Sequence, residues 1–209
     1  MKAAQFAEYG DPSVLKLVEV DEPHAGPGKV RVAVRAAGVN GIDGKIRAGQ
    51  MGQMMAIDLP AGSRIDAAGV VDEVGDGVEG VAVGDAVFGS GSATHAEHAV
   101  LDSWASQPEG LSFEEAAGYP VAVETAIRIF DLVGVGAGQT VLIGGASGGV
   151  GAAAVQIARA RGAIMIGIDR PNSPETRQNS GEVSGAPTLA HLVSAQPTQR
   201  RRAAWLALT

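Results

Sequence analysis

The chain has 209 residues, 45% of them hydrophobic and 19% charged, which is enough apolar material for the buried core of one or two domains. A formal net charge of −7 excludes a nucleic-acid-binding surface, and no run of about 18 apolar residues predicts a membrane span. Because the sequence has no cysteine and no signal-peptide pattern, we expect no disulfides, no thiolate-bound zinc and a cytoplasmic location.

The first 111 residues predict β structure. Alternation of apolar and polar residues marks a strand at 30–35, and residues 67–74, 82–88 and 93–101 are further strand candidates. Glycine and proline residues separate these segments, as they do in small barrels and sandwiches. We therefore predict a β-rich first domain over residues 1–111.

Helical signals begin after residue 111. Ser112-Phe113-Glu114-Glu115 is a capping box, in which Ser112 and Glu115 bond to each other's backbone. Pro120 is a typical first residue for the helix that follows, and Gly134 is a typical residue for its end. Two helices are therefore predicted between residues 112 and 134.

A strand–helix–strand unit is predicted next. Residues 140–144 and 163–168 are short apolar runs typical of buried strands, and residues 149–161 have the apolar periodicity of a helix, with Val150 on its buried face. Because no hairpin turn joins the strands, they are expected to run parallel.

The turn between the first of these strands and the helix carries the clearest chemical motif. Gly148, Gly149 and Gly151 offer bare backbone N–H groups and close approach at a helix N-terminus, as a dinucleotide pyrophosphate requires. Ala146 takes the first position of G-x-G-x-x-G, so the motif is degenerate. The candidate cofactor-binding residues are Ala146, Ser147, Gly148, Gly149, Val150, Gly151, Asp169 and Arg170.

Two residues at the end of the second strand bear on the choice of nucleotide. Asp169 lies 18 residues after Gly151, where an acidic side chain binds the ribose hydroxyls of NAD. Arg170 suits the 2′-phosphate of NADP instead. These residues alone leave NADH and NADPH open.

Four segments of the sequence together resemble the medium-chain dehydrogenase/reductase family. In chain order they are Val39-Asn40-Gly41-Ile42-Asp43, Asp66-Ala67-Ala68-Gly69-Val70-Val71, Val83-Gly84-Asp85 with Val87-Phe88, and residues 146–151. They are most similar to its zinc-independent quinone oxidoreductase branch, which includes zeta-crystallin, and the resemblance extends to about residue 169.

The resemblance implies an α/β plus β fold class. It places a GroES-like β-rich catalytic domain at residues 1–111, followed at residues 112–169 by the start of a Rossmann domain with a parallel sheet. It also implies NADPH rather than NADH, and a small-molecule quinone or α,β-unsaturated carbonyl as substrate. Oligomeric state stays open, with a homodimer as one option.

The catalytic residues implied by the resemblance are Asn40, Asp43 and Thr125. Asn40 stands where the related alcohol dehydrogenases have a zinc-binding Cys, and Ile65 where they have a His, so no metal is expected. The Asn40 amide is expected to donate to cofactor or substrate. Asp43 either orients the loop or acts in the site, and Thr125 is either near the nicotinamide or an ordinary helical threonine.

The remaining polar residues leave the proton donor open and offer no metal-binding pair. Relatives often have a Tyr within residues 45–51, where this chain offers Lys45 and Gln50, so water is a candidate proton donor. His95 and His98 form an H-x-x-H, but on a strand their side chains would point to opposite faces. Surface or packing roles are expected for both.

Two other functions stay open at this point. The turn at residues 145–149 also matches the G-x-S-x-G nucleophile elbow, with Ser147, Asp169 and His191 in the chain order of a serine hydrolase. The β-rich first 111 residues have no role in such a hydrolase. A cofactor-binding protein without turnover fits the same motif.

The segment 170–209 differs from the rest of the sequence. It has five Arg against two Glu, holds four of the ten prolines and contains no recognisable third strand. Our hypothesis is that the reading frame changed near Asp169, with truncation as the alternative; the other two frames of the encoding DNA test this. We therefore expect the 209-residue chain to bind NADPH weakly and to reduce quinones slowly or not at all.

Overall fold

A computed structural model describes residues 1–52, 57–62 and 65–168 of the chain. Asp169, Arg170 and His191 lie outside the described residues, as does the rest of the segment 170–209. The strands of the first part are β1 (Lys2–Phe6), β2 (Lys16–Glu19), β3 (Val30–Ala37), β4 (Ala61–Gly62), β5 (Asp66–Val74), β6 (Ala86–Ser92) and β7 (His98–Ser106).

Four antiparallel strands, β3, β5, β6 and β7, close into a barrel. Its interior is filled by branched aliphatic side chains, including the fully buried Val30, Val32, Val71, Val87 and Leu101. Val30 and Val32 are two residues apart on one strand, which is why β3 could be located from the alternation in the sequence. A small sheet of β2, β1 and β4 lies beside the barrel.

Two predicted strands begin later than the sequence suggested. Residues 82–85 form a turn, in which the Ala82 N–H donates to Asp85 Oδ2 at 2.8 Å and Gly84 has a φ of +101°. A strand residue does not adopt that angle, so β6 starts only at Ala86.

The prediction that His95 and His98 share a strand is wrong. Ala93 has a φ of +55°, so the chain turns there, and β7 begins at His98. His95 precedes the strand, and its carbonyl oxygen accepts a hydrogen bond from the Ala4 N–H. His98 Nδ1 lies 2.7 Å from Asp72 Oδ2 on β5, the strand on the far side of β3.

The described helices are α1 (Gly41–Arg47), α2 (Phe113–Ala116), α3 (Pro120–Val133) and α4 (Gly149–Ala160). The capping box is confirmed, since the Glu115 N–H donates to Ser112 Oγ and the Ser112 N–H donates to Glu115 Oε2. Pro120 opens α3 and Gly134, with a φ of +71°, ends it. Within the described residues, no helix combines the length and apolarity needed to cross a membrane.

Strands β8 (Thr140–Gly144) and β9 (Ile164–Ile168) pair with each other in parallel, as predicted. In the sequence they precede and follow α4. Helices α3 and α4 cover one face of this pair around Phe130, Ile143 and Ile157. The β-rich part followed by a parallel βαβ unit confirms the predicted fold class.

The prediction that β8 and β9 are buried strands is wrong for the face of the pair that points away from α3 and α4. Most positions in each strand are exposed, because within the described residues α3 and α4 pack on one face of the pair. The side chains on the open face are Leu142, Ile164, Ile166 and Ile168, which are 52–62% exposed. We call this the aliphatic face.

Helices α2 and α3 connect the barrel to the βαβ unit. Ala116 and Ala117 pack with Phe88 of β6 and Leu111 in a second barrel-side core. Gly38, after β3, fits closely beneath this junction, and its N–H donates to the carbonyl oxygen of Asp66 at 3.0 Å.

We expect Gly38→Ala to lower the free energy of unfolding by about 1–3 kcal/mol, because overpacking forces the surroundings apart. A methyl group at Gly38 would overlap the carbonyl oxygen of Ala117 and lie 2.8 Å from Asp66 Cβ. Gly41→Ala is the matched control, since nothing lies within 4 Å of the new methyl group. Urea denaturation measures the free energy of unfolding of both variants, and equal values for the two would contradict the prediction.

Candidate nucleotide-binding and catalytic site

The glycine-rich turn between β8 and α4 is tied to the end of β9. Gly145, with a φ of +70°, turns the chain after β8. The N–H groups of Gly145 and Ala146 both donate to the carbonyl oxygen of Ile168, at 2.8 and 3.3 Å. The Gly148 N–H donates to the Gly145 carbonyl oxygen at 3.0 Å, so the turn has a defined shape.

Beyond this turn the backbone is bare and open. A methyl group at Gly149 would meet no atom within 4 Å, and one at Gly148 would only reach the Gly145 carbonyl oxygen at 3.4 Å. The first N–H groups of α4 have no acceptor within the helix, and the helix dipole is positive there. Open space in front of such N–H groups fits a pyrophosphate.

The third glycine of the motif has a different role. Gly151 is buried, and a methyl group there would overlap the Gly145 carbonyl oxygen. It therefore lets α4 pack against the turn. Val150, predicted on the buried face of α4, is instead 37% exposed beside the opening.

Asn40 and Asp43 meet at the start of α1. Asn40 is the N-cap residue of this helix, and its backbone N–H donates to Asp43 Oδ2 at 2.6 Å. The Asp43 N–H donates in return to the Asn40 carbonyl oxygen at 3.1 Å. Asp43 is buried, so its carboxylate holds the loop that presents Asn40.

Asp66, which the sequence marked only as part of a family segment, is the centre of this site. It is fully buried on β5, and its Oδ2 accepts a hydrogen bond from Asn40 Nδ2 at 2.8 Å. The Val121 N–H of α3 donates to both carboxylate oxygens, at 3.2 and 3.3 Å, and Ser90 Oγ lies 3.5 Å from Oδ1. An acid directly before the apolar run at residues 67–71 was the available sequence signal.

Desolvation by burial raises the pKa of Asp66 above the ordinary aspartate value. The hydrogen bonds from Asn40, Val121 and Ser90 oppose this effect, and the negative charge of Glu124 adds to it. The net direction is upward, so a proton binds Asp66 more readily in the folded protein than in the unfolded chain.

The contribution of Asp66 to the stability should therefore fall as the pH rises from the ordinary aspartate pKa of about 4 towards the raised folded value. In that interval the folded state binds more protons than the unfolded state, and above it the contribution is constant. Asp66→Asn should lose this decline, whereas the exposed control Asp21→Asn should keep it. Urea denaturation across this pH interval tests the sign, and parallel curves for wild type and Asp66→Asn would contradict it.

Thr125 lies in α3, one helical turn after Val121, and is half-buried. The structure thus brings Asn40, Asp43 and Asp66 together with the N-terminal half of α3. Lys45 lies in the last turn of α1 and Gln50 lies three residues after the helix, and both are exposed. Across the described ranges, no cluster of three or more His, Cys, Asp or Glu side chains is arranged to hold a metal ion.

The hydrolase alternative loses support at Ser147. A nucleophile elbow strains the backbone at its serine. Here the left-handed conformation belongs to Gly145, and Ala93 is the non-glycine residue with positive φ in the part of the chain that the structure describes. The proposed partners Asp169 and His191 lie outside that part.

Comparisons with known proteins agree with this architecture. Residues 26–118 match the family model described as the alcohol dehydrogenase GroES-like domain. The quinone oxidoreductase of Rattus norvegicus is 39% identical over 173 residues, which cover 80% of this chain and 52% of the relative. The 2-methylene-furan-3-one reductase of Solanum lycopersicum is 36% identical over 176 residues, covering 76% of this chain and 44% of the relative.

A solved structure extends the comparison to three dimensions. Escherichia coli quinone oxidoreductase complexed with NADPH is 32% identical and matches with a TM-score of 0.67 over 80% of this chain and 52% of that one. The chain thus spans about half the length of the curated relatives it matches.

Proposed function

Because the chain belongs to the quinone oxidoreductase branch of the medium-chain dehydrogenase/reductase family, we propose that it serves NADPH-dependent reduction of quinones or α,β-unsaturated carbonyls. The open backbone at Gly148 and Gly149, in front of the N-terminus of α4, is the observation that carries this proposal. The names of the rat and tomato relatives support the two substrate classes.

NADPH is the proposed cofactor. The E. coli relative was solved with NADPH, and Arg170 supplies a cation suited to a 2′-phosphate. When bound, NADPH supplies a hydride to the electrophilic carbon of the substrate. The backbone at Gly148 and Gly149 would hold the pyrophosphate, while Ala146 and Gly151 shape the turn beneath it.

The polar residues of the barrel side would complete the site. Asn40 faces the substrate or the nicotinamide, Asp43 holds its loop, and Thr125 lines the site from α3. Negative charge that develops on the substrate oxygen needs a nearby hydrogen-bond donor. An Asn amide has two N–H groups, and the second one of Asn40 would be this donor. With Asn40 and Ile65 at the two ligand positions, the proposed reaction needs no zinc.

The proposal extends to the organisation of the protein. A catalytic domain at residues 1–111 would end just before the capping box of α2, and the nucleotide-binding domain would begin at residue 112. A small-molecule substrate, a cytoplasmic location and a homodimer accompany this proposal.

Transfer of a label from the cofactor tests the function directly. NADPH deuterated at the reactive carbon is incubated with excess protein and a simple α,β-unsaturated ketone, and the product is analysed by mass spectrometry and NMR. We expect deuterium at the β-carbon, with the α-carbon protonated from water, and no labelled product with the Gly148→Val variant. NADPH binding without any label transfer would instead support a cofactor-binding protein without turnover.

A further inference from the structure

Three elements meet at the carboxylate of Asp66. Strand β5 contributes Asp66 itself, the loop before α1 contributes Asn40, and α3 contributes the backbone of Val121. Helix α3 has no side-chain cap of its own, since its N-cap residue Tyr119 makes no capping bond and Pro120 has no N–H. Asp66, which belongs to the barrel, therefore accepts a hydrogen bond from Val121, the first residue of α3 with an N–H to donate.

We infer that Asp66 is a positioning residue: its carboxylate fixes the orientation of the Asn40 amide and joins it to the N-terminus of α3. The inference rests on the proposed function for what Asn40 contacts, but the orientation itself is a property of the free protein. Asp66 is buried behind Asn40 and is placed to act through it.

The carboxylate leaves the amide one favourable orientation. An ionised carboxylate only accepts hydrogen bonds, so the Asn40 nitrogen must face it. If the amide rotated by half a turn, its oxygen would lie against Asp66 Oδ2 and the 2.8 Å hydrogen bond would become a repulsion. A buried pair of oxygens without a proton between them is costly, so the rotated form is disfavoured.

The carboxylate itself is held in place. The carbonyl oxygen of Asp66 accepts from the Gly38 N–H, and any side chain at Gly38 would collide with Asp66 Cβ. The positive end of α3 offsets part of the cost of its buried charge. Of the charged groups nearby, Glu124 on α3 acts on Asp66 by repulsion, and Asp43 on α1 accepts a hydrogen bond from the backbone N–H of Asn40.

NMR of the 209-residue chain tests the inference without a cofactor. The side-chain amide resonances of Asn40, assigned with Asn40→Ala, should shift as Asp66 titrates and should hold constant in Asp66→Asn. Asp43→Asn should move the backbone resonance of Asn40 and leave the side-chain titration in place. If Asp66→Asn does not fold, the wild-type titration alone decides, and a side-chain resonance that does not titrate overturns the inference.

Nucleotide affinity gives a second readout. Asn40→Ala and Asp66→Asn should each weaken NADPH binding about tenfold, and the double variant should be no weaker than either, because both remove the same contact. Additive losses would overturn the positioning role, and Asp21→Asn is the control. If the wild type binds no NADPH, the proposed function fails while the NMR titration still decides the role of Asp66.

Discussion

Replacing Gly148 by valine should weaken NADPH binding at least about 100-fold, a loss of roughly 2.7 kcal/mol, with the fold intact. Gly148 has a φ of −74° and a ψ of 166°, which valine adopts readily, and its added Cβ meets only ordinary contact distances. The new side chain would therefore harm the ligand rather than the protein, since it fills the space in front of the α4 N-terminus. Fluorescence titration with NADPH measures the loss.

Two neighbouring variants separate ligand effects from folding effects. Ser147→Ala should leave NADPH affinity nearly unchanged, whereas Gly151→Val should destabilise the fold because its side chain would overlap the Gly145 carbonyl oxygen. Thermal denaturation followed by circular dichroism distinguishes the two. NADPH affinity retained in Gly148→Val would count against a dinucleotide site, and an esterase activity lost in Ser147→Ala would favour the hydrolase.

The second prediction concerns turnover by the 209-residue chain. We expect steady-state NADPH oxidation with a simple quinone to proceed below about 1 s⁻¹, the lower end of ordinary enzyme turnover. The reason lies in the βαβ unit as far as residue 168, where helices cover one face of β8 and β9 and the side chains of the aliphatic face are 52–62% exposed. Parallel strands are normally covered on both faces, so this unit should hold the cofactor weakly.

The measurement needs a positive control and a test of the cause. Rat quinone oxidoreductase assayed under the same conditions shows that the quinone and the detection are adequate. A dye that fluoresces on exposed apolar surface should bind this chain more strongly than the rat protein. Turnover within about 1–10³ s⁻¹ would contradict the prediction and would mean that the site is complete.

Local sequence signals located most of the elements. Strand β3 follows from alternation, β5 from a mostly apolar run that ends at a Gly-rich turn, α2 from its capping box, and the parallel pair from two apolar runs around a glycine-rich turn. Helix α1 was missed, since its seven residues include two glycines and show no clear apolar periodicity. The late starts of β6 and β7 were missed because the residues that turn the chain there resemble strand residues.

One part of the candidate site could also be predicted from the sequence, and another part could not. The shape of the turn at residues 146–151 could be predicted because its residues are contiguous in sequence, and its role in cofactor binding stays a prediction. The contacts of Asp66 could not, because its partners lie 26 and 55 residues away, at Asn40 and Val121. Exposure of Leu142 and Ile166 also escaped prediction, as burial depends on which elements pack against a strand.

Helix α3 is attached at both ends, to the barrel at its N-terminus and to the βαβ unit at its C-terminus. Its N-terminus is pinned to Asp66, and its far end is fastened to α4 by the ion pair between Asp131 and Arg161, whose guanidinium also lies over the Phe130 ring. Fourteen residues at 1.5 Å each give an arm of about 21 Å, so a tilt of about 5° swings the far end by about 2 Å. A tilt of α3 about this N-terminus would thus move its far end and leave the bond between Val121 and the carboxylate that holds Asn40 in place.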